Sequence, residues 1–158
     1  MPKRIWMSSI LGLSLCMSLS HAASTVPQFS QFPVKVYNGS TAALDLTDPN
    51  ARMFRTRLSD ALKTPVNFAG EYVVTMWGCG AMCRSYTFVS KRTGKLLEEV
   101  FGGEGNQEDV IDAKANSKLL VTAQDVHDFE NNGRLVKTIV RFYILEKGHL
   151  KLIKKIEK

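Results

Sequence analysis

Two cysteines with three residues between them, set between two runs of alternating apolar residues, constrain this chain more than anything else in it. They lie in residues 67–90, NFAGEYVVTMWGCGAMCRSYTFVS. If Cys79 and Cys83 face each other across a hairpin, the register follows: Trp77 meets Ser85, Met76 meets Tyr86, Thr75 meets Thr87, Val74 meets Phe88 and Val73 meets Val89. Side chains alternate between the faces of a strand. One face then carries Tyr72, Val74, Met76, Tyr86 and Phe88, all apolar, and the other the mixed set Val73, Thr75, Trp77, Ser85, Thr87 and Val89. A slip of one residue would scramble that sorting, so the pattern supports its own register. Gly78 and Gly80 flank Cys79 and give a tight loop its backbone freedom.

A bond closing so short a loop stabilises by ~2 kcal/mol in the chain-entropy picture. Its larger effect is to fix the loop's shape. Two roles stay open for it, a structural staple or a functional loop that is redox-active or recognises a partner. The spacing is not C-x-x-C and no βαβ pattern surrounds it, which sets it apart from thioredoxin-like proteins. Zinc needs about four ligands, and two cysteines with no histidine nearby do not supply them. The candidate contact loop is Trp77, Gly78, Gly80, Ala81, Met82 and Arg84.

The run Asn67-Phe68-Ala69-Gly70-Glu71-Tyr72, followed by Trp77-Gly78-Cys79-Gly80 and Cys83, resembles an uncharacterised family of small secreted or periplasmic proteins of Gram-negative bacteria. Their shared pattern is N-F-A-G-x-Y, a short strand, then W-G-C-G-x-x-C. The resemblance implies a periplasmic location and a β-rich fold, and it brings no activity with it. A looser likeness is to periplasmic inhibitors of vertebrate lysozyme, which also place a disulfide-closed loop between two strands. Their loop histidine has no counterpart here.

The N-terminus reads as a signal peptide over residues 1–22. Lys3 and Arg4 form a basic start, residues 5–18 are apolar, and Ser20-His21-Ala22 offers small residues around the cut. The apolar run is short for a membrane span and no second one follows, so no transmembrane segment is expected after cleavage. Cys16 follows Leu15 rather than the small residue of a lipoprotein signal. Cleavage leaves Cys79 and Cys83 as the only cysteines, in an oxidising compartment that suits their pairing. It also removes two of the 21 basic residues, leaving 19 against 15 acidic, a net charge of +4. Part of that charge is the run Lys147, Lys151, Lys154, Lys155 and Lys158. Lysines of this kind protect an edge strand from pairing, or favour an anionic envelope surface. No nucleic-acid motif is present, and none is expected in an exported protein.

Residues 23–46 read as an extended lead-in with an edge strand at 33–37, and residues 47–158 as one α+β domain. Asp48-Pro49 starts a helix, Met53, Phe54, Leu58, Ala61 and Leu62 give its apolar stripe, and Pro65 ends it. Arg52, Arg55 and Arg57 read as a solvated face. A third strand is expected over 95–101 after the turn at Thr93-Gly94. Residues 102–109 form a glycine-rich acidic surface loop that matches neither a phosphate loop nor an EF-hand. Strands follow near Val110 and over 119–122, then a polar loop over 125–130 holding His127. A closing hairpin turns at Lys147-Gly148, pairing Leu145 with Leu150, Tyr143 with Leu152 and Ile139 with Ile156.

The fold expected is therefore α+β: a mainly antiparallel meander of about six strands with one N-terminal helix packed on it. No catalytic constellation stands out and no cofactor or metal is implied: H-E-x-x-H and G-x-S-x-G are absent. The functional expectation is an exported, non-enzymatic periplasmic binding module of the inhibitor or immunity type, meeting a protein partner in the periplasm or envelope through its disulfide-closed hairpin. The alternatives are a thiol–disulfide redox protein using Cys79 and Cys83, and a structural protein associated with the envelope surface.

Overall fold

The computed structural model describes residues 26–81, 83–103 and 107–158. The signal-peptide reading of residues 1–22, the start of the lead-in and Met82 lie outside these.

Asp48 caps a helix as its sequence predicts, its carboxylate accepting hydrogen bonds from the backbone N–H groups of Asn50 and Ala51. The single helix is corrected to two short ones, α1 (Pro49–Met53) and α2 (Arg55–Ala61). The break is at Phe54, whose φ of −105° and ψ of 22° leave the helical region. The apolar stripe nevertheless keeps helical spacing across it, from Ala51 through Phe54 to Leu58, Ala61 and Leu62. Ala51, Leu58, Ala61 and Leu62 pack inward against Val73 and Val89, whereas Met53, counted in a continuous stripe, is 73% exposed.

Among the described residues, seven strands form two antiparallel sheets rather than one meander. β1 (Tyr72–Gly80), β2 (Cys83–Ser90) and β3 (Phe101–Gly102) make the first, in that order. β4 (Asp109–Ala113), β5 (Leu119–Asp128), β6 (Arg134–Glu146) and β7 (His149–Glu157) make the second. The expected third strand shrinks to a single bridge from Leu96 to Val89 and the two residues of β3. The edge strand expected over 33–37 is likewise one bridge, Pro33 to Ser117. The polar loop expected over 125–130 is replaced by β5, which runs on through Asp128 and carries His127 within it.

The β1–β2 register is the one the alternation predicts from Tyr72–Ser90 down to Gly78–Arg84, after which it shifts so that Gly80, not Cys79, stands opposite Cys83. In the closing hairpin Leu145–Leu150 and Tyr143–Leu152 pair as expected. An irregularity between Phe142 and Tyr143 then moves Ile139 from Ile156 to Glu157.

Both faces of the first sheet are covered. Its mixed face carries Val73 and Val89, which meet the helices, and its apolar face carries Tyr86 and Phe88, which meet the second sheet. Phe68, Phe88 and Phe101 join Leu120 of β5 in one buried cluster, against which Tyr143, Leu145 and Leu150 pack. The far face of the second sheet, with Leu119, Val121 and Phe142, is overlaid by Phe29 and Phe32 of the lead-in.

The N-F-A-G-x-Y run is a tight turn that starts β1. Phe68 is buried, and Ala69 (φ 45°) and Gly70 (φ 82°) make the reversal. A Cβ on Gly70 would lie 2.6 Å from the Lys35 carbonyl, so glycine is required by space as well as by φ. Glu71 accepts from Ser90 Oγ at 2.8 Å and from Arg92 Nε at 2.6 Å, tying the turn to the end of β2. The Asn67 side-chain amide acts as a neighbouring strand for β1. Its Oδ1 accepts from Val74 N at 2.7 Å and its Nδ2 donates to Val74 O at 3.1 Å.

Candidate functional site

The closed end of the β1–β2 hairpin is held from three directions. Cys79 and Cys83 form a disulfide with their Cα atoms 5.1 Å apart. Trp77 is buried, its ring 4.7 Å from Phe54 at the helix break, with the Arg57 guanidinium 5.9 Å from the ring centre. On the other side Arg84 Nη1 donates to Asp109 Oδ2 at 2.9 Å, and the Tyr86 hydroxyl donates to Asp109 Oδ1 at 3.1 Å. Burial, and then the bond to Asp109, push the Tyr86 phenol above its ordinary pKa. Asp109 begins β4, so this contact joins the hairpin to the second sheet.

The candidate contact residues are therefore divided. Gly78, Gly80 and Ala81 are exposed at the end, and nothing lies within 4 Å of a Cβ placed on Gly80. Cys79 is exposed too, its Sγ accepting a hydrogen bond from Ser85 Oγ at 3.4 Å. Arg84 is exposed but held by Asp109. Trp77 faces inward and supports the loop from beneath.

A second cluster, missed by the sequence reading, lies on the second sheet beside the segment that enters β4. Glu108 is 6% exposed, in the stretch expected to be surface loop. Its Oε1 accepts from Thr122 Oγ1 at 2.5 Å and from the Tyr143 hydroxyl at 2.9 Å. Its Oε2 lies 3.1 Å from Arg141 Nη1, an ion pair whose angle falls outside hydrogen-bond geometry. Arg141 Nη2 donates to Gln124 Oε1 at 3.0 Å. Burial, then the bond to Glu108, drive the Tyr143 phenol up to about 12. It is therefore a proton donor to the carboxylate and no base near neutrality. One sequence signal did exist. Arg141 shares a strand face with Ile139, Tyr143 and Leu145, and a guanidinium among core residues requires a buried anion.

The chemistry available to these groups is limited. Thr122 is fully buried and its hydroxyl is engaged with Glu108, so it is not presented as a nucleophile. His127 Nδ1 lies 3.1 Å from the Gly133 carbonyl, and His149 Nδ1 lies 3.5 Å from Glu99 Oε1. The two histidines sit beside opposite ends of β6, opposite Leu135 and Glu146, and do not share a site. Among the described residues no three or more His, Cys, Asp or Glu side chains group as metal ligands, and no helix is long and apolar enough to cross a membrane. No family model, no curated protein and no solved structure matches this chain.

Proposed function

We propose that this chain is an exported binding module without catalytic activity, of the inhibitor or immunity type, and that the closed end of the β1–β2 hairpin meets a protein partner in the periplasm or envelope. The observation that carries this reading is the contrast between an exposed end at Gly80 and Ala81 and the rigid frame beneath it. The disulfide, the Trp77–Phe54 contact and the Arg84–Asp109 pair fix the frame before any partner arrives. A loop already ordered loses little conformational entropy on docking. A photo-crosslinking amino acid at Ala81, introduced in cells that export the protein, is expected to give one discrete protein adduct. The same group at Lys147, in the remote β6–β7 turn, is expected to give none. No adduct at Ala81, or the same adducts at both positions, would count against this reading.

The exposure of Cys79 favours a second reading, thiol–disulfide exchange. The two separate on reduction potential. A binding module with a structural crosslink is expected below about −300 mV, and a redox protein nearer the −120 mV of strong periplasmic oxidants. Equilibration with glutathione or dithiothreitol buffers, read by thiol alkylation, measures it.

A further inference from the structure

The expected basic face is the C-terminal hairpin, where two of the five lysines pair with carboxylates. Lys151 lies 3.5 Å from Glu146, and Lys155 and Lys137 flank Glu157 at 2.6 and 2.8 Å. A local group of cations without a paired carboxylate lies at the helix break. Among the described residues Arg52, Arg55 and Arg57 have no carboxylate partner. Asp60, the acidic residue of α2, is taken by Lys63, and Asp48 caps α1. The three arginines line one open concavity of about 490 Å³ together with Leu46, Met53 and Phe54. Arg52 is held in place by donating to the carbonyls of Leu46 and Thr47 at 2.8 and 3.0 Å. Arg57 rests over Trp77.

Within this ring of cations Met53 is 73% exposed and Leu46 40% exposed. Met53 lies on the outward side of α1, while the opposite side of α1 and α2 buries Ala51, Leu58 and Ala61 on the first sheet. Here arginines are interleaved with exposed apolar side chains. They suit the boundary of an anionic bilayer, where guanidinium groups meet phosphates and the apolar side chains enter between headgroups. Arginine also matches phosphate oxygens better than lysine does, through its planar fork of donors.

We infer that the outward face of α1 and α2, with Arg52, Arg55, Arg57 and Met53 at its centre, is a docking surface for an anionic phospholipid membrane. The inference stands apart from whatever the hairpin end binds, because Ala81 and Met53 belong to different elements and the two are altered separately.

Sedimentation of the mature protein with vesicles tests it. Binding is expected to phosphatidylcholine vesicles containing phosphatidylglycerol, not to phosphatidylcholine alone, and is expected to weaken as salt rises. Each basic residue near such a surface is worth about fivefold in partitioning, so Arg55→Glu with Arg57→Glu is expected to reduce it at least about tenfold. Lys151→Glu is expected to leave it within about twofold. Arg55→Glu with Met53→Ser avoids the Trp77 contact and is expected to lose binding as well, with an unchanged melting curve. Equal binding to both vesicle types, undiminished binding by both arginine variants, or a larger loss from Lys151→Glu would overturn the inference. So would displacement by inorganic phosphate at matched ionic strength, which would assign the concavity to a soluble anion.

Discussion

Replacing Glu108 by alanine is expected to destabilise the fold by about 3–5 kcal/mol, the scale seen when one partner of a buried ion pair is removed. The cost comes from what remains. Arg141, with 18% of its side chain exposed, would keep a charge in the interior without its carboxylate. Thr122 and Tyr143 would lose the acceptor their hydroxyls now share. Each stranded donor adds to the penalty, because desolvation is no longer offset by a bond. Glu108→Gln keeps an acceptor oxygen for the two hydroxyls but not the charge, so an intermediate loss is expected. Urea denaturation followed by tryptophan fluorescence measures all of this. A loss below about 1 kcal/mol for the alanine variant would mean that Glu108 is not the anchor between loop and sheet.

Phe88→Ala is expected to cost about 3–5 kcal/mol by a different route, the cavity left by a large buried ring. Phe88 is fully buried at the centre of a line of aromatic rings. Its ring lies 5.5 Å from Phe68 and 6.0 Å from Phe101, and Phe101 lies 5.4 Å from Tyr143 on β6. The line crosses from one sheet to the other, so the deletion loosens their contact as well as removing apolar area. Phe88→Leu conserves most of the volume and is expected to cost less than about 1.5 kcal/mol, apart from the lost ring contacts. Denaturant midpoints with an unchanged m-value would show that stability alone was altered.

The hairpin register was readable because period-two alternation and the cysteine pair pointed the same way. The split into two sheets was not. Alternation says that Tyr86 and Leu120 face a core, but not that they come from different sheets facing the same one. Residues 95–109 carry mostly turn and charge signals, so they read as a strand and an independent surface loop. Yet Leu97, Phe101 and Glu108 of that stretch are buried. The helix break was hidden for a related reason. Met53 and Phe54 are adjacent apolar residues, but only Phe54 lies on the stripe with Ala51, Leu58 and Ala61; it docks on Trp77, and Met53 faces solvent.

For the candidate contact loop, the sequence did not show which of its residues are buried and which are exposed. Trp77 lies on the same strand face as Val73, and nothing in the spacing says that a helix covers that face. The Glu108 cluster was least legible. It draws on residues 14 to 35 positions apart in the chain, whose meeting depends on β5 and β6 pairing beside the segment that enters β4. Arg141 alone advertised it.

The amide of Asn67 reaches Val74 across only seven positions of chain. Contacts of such short span need no large loop to close first, so this one is within reach while most of the polypeptide is still unstructured. A bare strand is most hazardous at that stage, when other unfinished chains can add to it. The motif that opens β1 thus closes the free edge of that strand at Val74, with the same few residues that begin it.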